Sequence, residues 1–213
     1  MSRLTDNLES VADRIRQSFS AKDAAREKAL PLCREVIRHC SRAIRAVHRH
    51  EFEQAKELLQ SARSLLNEVE QTVTIYSELR NTGFVRDAQK EFAEGSITLA
   101  LVAGERLPEP DELGVDPAAY LNGLGEAVGE LRRYLMDSMR KGDLSRGEEL
   151  LSAMDDIYNI LITMDFPDAI TGGLRRTTDM VRGVLERTRS DLTLVIRQQE
   201  LEERLDSFEQ RLK

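Results

Sequence analysis

The chain has no tryptophan and only 5% aromatic residues among 213. Proteins that hold single-stranded nucleic acid by stacking its bases rely on such rings, so this scarcity weighs against a stacking surface. There are two cysteines, Cys33 and Cys40, and these exclude a disulfide framework. They fall two turns apart on one predicted helix, roughly 10 Å by helical rise, too far to pair, and read as reduced core residues. Long apolar runs are missing too: windows such as 97–103 fall far short of a bilayer span. Met1-Ser2-Arg3-Leu4 opens a polar amphipathic stretch rather than a signal peptide. No glycine-rich phosphate loop, Cys/His zinc spacing or nucleophile elbow occurs, which removes serine and cysteine nucleophilic chemistry. The expectation is a cytoplasmic protein with no membrane partner.

What is present is helix-forming. With 40% hydrophobic and 32% charged residues, 12 glycines and five prolines, one all-α domain spanning 1–213 is expected. Leu4, Leu8, Val11, Ile15 and Phe19 recur at helical spacing and predict a core-packing helix over about 5–19. Ser20 to Asp23 resembles a capping box opening a second helix to about His50, which Pro31 should bend or divide. Further helices are predicted over about 51–79, from Phe84 to beyond Val102, 117–141, 146–163 with a capping box at Ser145 and Glu148, and from 169 or 174 onward. The stretch from Arg106 to Pro117, rich in proline and acid, reads as a surface loop. Residues 201–213 read as a helical C-terminal extension. In the last part of the final helix Leu194, Leu201, Leu205, Phe208 and Leu212 approximate a heptad seam, which suggests assembly.

The net charge is −7, but it is unevenly spread. Residues 1–50 carry eleven basic against six acidic side chains, whereas residues 51–130 carry six against sixteen. Arg34, Arg38, Arg42, Arg45 and Arg49 are spaced 4, 4, 3 and 4 apart, so they share roughly 80° of one helix surface. This stripe is either an ordinary wet face or a track for phosphates, since arginines so close repel one another unless an anion lies across them. His39, His48 and His50 match no metal spacing and read as surface residues adding to the basic face.

The acidic segment holds the one plausible chemical site. Glu91 and Glu94 (i, i+3) share a face of one helix, and Glu126 and Glu130 (i, i+4) share a face of another. Two such faces apposed make an oxygen-only cage suited to Mg²⁺ or Mn²⁺, the chemistry of phosphodiester hydrolysis. On its own helix Glu91 borders the apolar face while Glu94 lies further toward solvent, so Glu91 is expected to be the more desolvated. Glu126 and Glu130 lie opposite the stripe of Tyr120, Leu121, Leu124, Val128, Leu131 and Leu135, so a neighbouring helix or subunit has to close over them.

An ordered series of segments resembles the translin family. It runs through residues 115–123 (VDPAAYLNG), 129–133 (GELRR) and 138–146 (SMRKGDLSR), then 156–158 (DIY), 174–176 (LRR) and 190–192 (SDL). Glu91-Phe92-Ala93-Glu94, with Glu126 four residues before Glu130, is similar to the acidic set of the Trax-type branch, in which the Glu126 position is usually Asp. The resemblance implies a seven-helix bundle assembling into a hollow octamer that binds single-stranded or partly structured RNA, and single-stranded DNA. It also implies metal-dependent endoribonuclease activity. Two other readings stand beside it: a non-catalytic nucleic-acid-binding shell, and a helical scaffold with no nucleic-acid role.

Overall fold

The computed structural model describes residues 5–212, with side chains to 211, and every regular element among them is helical. Leu4 lies outside the described residues, as does the side chain of Leu212. The elements are α1 (Leu8–His48), α2 (Phe52–Val73), α3 (Ser77–Arg80), α4 (Gly83–Ala103), α5 (Pro110–Leu113), α6 (Pro117–Arg140), α7 (Gly147–Leu161), α8 (Asp168–Thr171) and α9 (Leu174–Leu212).

The first two predicted helices run as one. Ser20 and Asp23 are helical rather than a cap, and α1 passes through Pro31 undivided because Ala29, Cys33 and Val36, fully buried, hold both sides of the proline to the core. The expected core-packing arm does not pack: Leu8, Ile15 and Phe19 are exposed, and burial on α1 begins at Ala29. The 51–79 helix stops at Val73 and resumes as α3. The expected loop after Arg106 contains α5, for which Glu109 and Glu112 form a reciprocal capping box and Pro110 supplies the first turn. At the start of α7 the predicted capping box is not made. Ser145 Oγ donates to Asp143 Oδ1 at 2.7 Å, and Arg146 occupies the cap position without a side-chain cap bond.

α1 and α2 form a long hairpin, and α4 packs across both. α6 lies between α4 on one side and α7 and α9 on the other, making it the central helix. Two glycines allow this. A Cβ on Gly123 would come within 2.7 Å of Lys90 O and 3.0 Å of Glu94 N, so α4 and α6 meet backbone to backbone at this point. Gly125 gives the same freedom toward Thr177 and Val181 of α9. Buried Asn122 ties the arrangement: its Nδ2 donates to Thr171 O at 2.8 Å, and its Oδ1 accepts from Thr177 Oγ1 at 2.8 Å. No helix among the described residues is long and apolar enough to cross a membrane.

Candidate functional site

The crossing at Gly123 lies beside Lys90 and Glu94 of α4, and Glu126 follows one turn later on α6. As a result one carboxylate oxygen from each of Glu91, Glu94 and Glu126 lies within 4.8 Å of the others. Glu130 takes a different partner. Its Oε2 is 2.5 Å from His48 Nε2 and 3.7 Å from a guanidinium nitrogen of Arg133. The sequence grouped four glutamates, and the structure gathers three of them with the fourth alongside, held by a histidine.

His48 is accordingly not a surface residue. Its side chain is only 6% exposed, and its Nδ1 is buried without a hydrogen-bond partner, so the tautomer with the proton on Nε2 donates to Glu130. His39 likewise has a buried Nδ1 without a partner, while His50 is exposed and sets its ring against Phe52 and Tyr134. Glu126 and Glu130 keep 31% and 24% side-chain exposure, because α4 and α1 of the same protomer already cover them.

The electrostatics separate the carboxylates. Burial, then the charges of Glu91, Glu126 and Glu130, pushes Glu94 up to about 8. Burial is also the largest influence on Glu91, which is raised despite the opposing charge of Lys90. The expected order is therefore reversed: Glu94 is the more strongly desolvated, since α6 closes over its side of α4. Glu130 is held below the usual carboxylate range, chiefly by its hydrogen bond to His48. Beneath the cluster, burial and then the charges of Glu91 and Glu94 drive the Cys40 thiol far upward. Among the described residues Lys90 is the one cation in contact with Glu91, Glu94 or Glu126, its Nζ 2.8 Å from Glu126 Oε1. Burial lowers its pKa, but Glu126, Glu91 and Asp87 outweigh that and leave it raised.

Three close carboxylates with one ammonium are under-neutralised, and a divalent cation relieves that repulsion. Hard oxygen donors of this kind suit Mg²⁺ or Mn²⁺, so the residues present fit the metal.

Glu126 and Lys90 also line a groove of about 480 Å³ between α4, α6 and the start of α9. Arg86 and Arg176 stand at its walls, and among the described residues neither has an ion-pair partner. Sequence reasoning missed both arginines. Arg86 could have been found one turn before Lys90 on the same face, whereas Arg176 needed the tertiary contact. The arginine stripe lies elsewhere. Arg34, Arg38, Arg42, Arg45 and Arg49 are all exposed, on the side of α1 away from Cys40, and among the described residues none of them pairs with Glu91, Glu94, Glu126 or Glu130. Within the stripe Arg38 pairs with Glu35 and Arg49 with Glu51, the latter at 2.6 Å.

No protein-family model matches the chain. An uncharacterized protein of Methanocaldococcus jannaschii is 29% identical over 189 residues, which are 86% of this chain and 82% of the relative. The fold is that of AfC3PO, whose structure in complex with duplex RNA has a TM-score of 0.77 and 35% sequence identity, with 86% of this chain and 95% of that chain covered. A crystal structure of AfC3PO alone gives 0.76 and 34%, covering 86% of this chain and 96% of that chain. Apo-NeC3PO, at 17% identity and a TM-score of 0.77 over 92% of this chain and all of that one, shares the fold.

Proposed function

This chain belongs to the translin/C3PO family, and from that premise we propose that it is an RNA-binding, metal-dependent endoribonuclease of the Trax-like kind. The observation that carries the reading is the convergence of Glu91, Glu94 and Glu126 within 4.8 Å at the end of a groove that also presents Arg86, Arg176 and Lys90. The complex of AfC3PO with duplex RNA supports an RNA ligand.

In this reading Glu91, Glu94 and Glu126 would hold one Mg²⁺ or Mn²⁺, and Glu130, one turn on along α6 and paired with His48, would be the fourth carboxylate of the site. The bound cation supplies Lewis-acid polarisation of a phosphoryl oxygen and a water acidified toward neutral pH. Arg86 and Arg176 bind the phosphates that flank the scissile one, as bidentate guanidinium contacts do best. Lys90, paired with Glu126 in the metal-free site, would neutralise charge on the reacting phosphate. His48 fixes the orientation of Glu130. The stripe from Arg34 to Arg49 binds further phosphates of the same RNA or of single-stranded DNA, and it meets the carboxylates of a neighbouring protomer inside a hollow homo-oligomer of eight chains.

The test is incubation of end-labelled single-stranded and duplex RNA with the protein in Mg²⁺ and in EDTA, beside Glu91→Ala and Glu130→Ala. Cleavage that needs Mg²⁺ and is lost in both variants, with RNA retention kept, is the expected result. Full activity in both variants would sink the carboxylate assignment. One observation favours a second reading, a non-catalytic RNA-binding shell: Lys90 already occupies Glu126. Binding without cleavage under every cation tried would select it. A light-scattering mass near the 24.2 kDa of one chain would refute the enclosed assembly.

A further inference from the structure

Lys90 belongs to both halves of the site. Its Nζ lies 2.8 Å from Glu126 Oε1, and the same side chain lines the groove that Arg86 and Arg176 share. Arg86 stands one turn before it on the same face of α4. Glu126 is shared in the same way, as a member of the carboxylate cluster and as a wall of the groove. Cluster and groove therefore meet at one half-buried ion pair, which is screened less than a surface one.

The backbone beneath this pair is fixed. Lys90 O lies 2.7 Å from the place a Cβ on Gly123 would take, so α4 and α6 are already in contact there and only the side chain is free to change partner. A lysine suits that role, being a point charge on a flexible four-carbon stem. It stays an ammonium whichever partner it has, since Glu126, Glu91 and Asp87 outweigh burial and hold its pKa above the usual value. Arg86 and Arg176 have no ion-pair partner among the described residues, so a phosphate entering the groove is drawn to them and arrives beside Lys90.

Building on the nuclease reading above, we propose that Lys90 couples RNA binding to cation binding. Without RNA its ammonium competes with a divalent cation for Glu126, because two positive charges repel when they share one carboxylate. A phosphate in the groove offers the ammonium a second acceptor, and Glu126 becomes available to a cation. RNA and cation then each bind more tightly in the presence of the other, by the same factor, as linkage requires. The free protein is thereby kept from holding a hydrolytic cation before a substrate is in place. Lys90 is a positioning residue in this scheme, acting through the partner it releases.

The experiment measures Mn²⁺ binding to the full-length protein by the electron paramagnetic resonance of the free ion. It is run with and without a cleavage-resistant phosphorothioate RNA and corrected for Mn²⁺ held by the RNA alone. In wild type the RNA should tighten Mn²⁺ by about tenfold, and saturating Mn²⁺ should tighten RNA equally. Lys90→Met keeps the apolar stem and removes the ammonium, so Mn²⁺ without RNA should bind about tenfold tighter than in wild type, and the further gain from RNA should shrink to about twofold. Arg86→Met removes the same charge from the same groove but frees no carboxylate; it should weaken RNA and leave RNA-free Mn²⁺ affinity within about twofold of wild type. Circular dichroism checks that each variant is folded. A Lys90→Met protein that binds Mn²⁺ as wild type does without RNA, or that keeps the full gain from RNA, overturns the coupling and leaves the nuclease reading standing. So does an Arg86→Met protein that tightens Mn²⁺ as much as Lys90→Met, since bulk charge would then account for both. Mn²⁺ binding that is unchanged in Glu91→Ala removes the cluster as the site, and both readings fall together.

Discussion

Gly123→Ala is the sharpest perturbation of the site, because it changes no charge and no ligand. The added Cβ would lie 2.7 Å from Lys90 O, 2.8 Å from Ala93 Cβ and 3.0 Å from Glu94 N, against 3.4–4 Å for ordinary contact. Two of these three atoms are helix backbone and cannot swing aside, so α4 and α6 must part by about 0.7 Å at their crossing. Overpacking of this kind costs about 1–3 kcal/mol, and removing a mid-helix glycine returns about 0.5–1 kcal/mol. The net loss of up to about 2.5 kcal/mol lowers Tm by up to roughly 10 °C for a chain of this size. Glu126 moves with α6, so the three-carboxylate cluster opens and the gain in Tm on adding Mg²⁺ shrinks as affinity falls. Gly129→Ala on the same helix is the control. Nothing lies within 4 Å of its added Cβ, so it should raise Tm slightly. Thermal unfolding followed by circular dichroism, in EDTA and in Mg²⁺, reads both effects. A Gly123→Ala protein that melts with wild type and keeps the full Mg²⁺ response would refute the close crossing.

Three further outcomes follow from the same structure. In EDTA, Glu94 favours its proton in the folded state, up to about 8, against a usual 4.5. The metal-free protein therefore loses stability as pH rises from about 5 to 8. Glu94→Gln should flatten that fall and abolish the Tm gain from Mg²⁺, and an unchanged pH profile would count against the cluster. Burial pushes Cys33 up to about 11 and Cys40 higher still, so at pH 8 only about one Cys33 in a thousand is thiolate. Iodoacetamide should leave both thiols intact until guanidinium unfolds the chain, and rapid native labelling would contradict the α1 core. Replacing Arg38, Arg42 and Arg45 by Gln should weaken RNA binding and make log affinity less steep against log salt by about one unit per lost phosphate contact. An unaltered slope would leave the stripe as a solvated face.

Much of this protein is local in origin and could be read from residue order. The 3.6-residue recurrence of apolar side chains around Cys33, Val36, Cys40 and Val47 sets which face of α1 is buried, and the same rule places α2, α6 and α7. Asp116-Pro117 marks the start of α6, with Asp116 accepting from Ala118 N at 2.9 Å. The pairing of Glu91 with Glu94 is likewise helix geometry. Periodicity assigns a direction around a helix's own axis, however, and says nothing of the distance or rotation of the next helix. That is why Glu94 and not Glu91 is the more desolvated, why His48 lies under Glu130, and why Arg176 faces Lys90 across a groove. It is also why Ser20 failed as a cap: local capping preference is worth about 1 kcal/mol, and continuation of a helix pinned by its buried half outweighs it. For the three gathered carboxylates the deciding contact is one close approach. A residue without a Cβ at 123 lets two backbones touch, and that contact fixes the distance between the glutamates of α4 and the glutamate of α6.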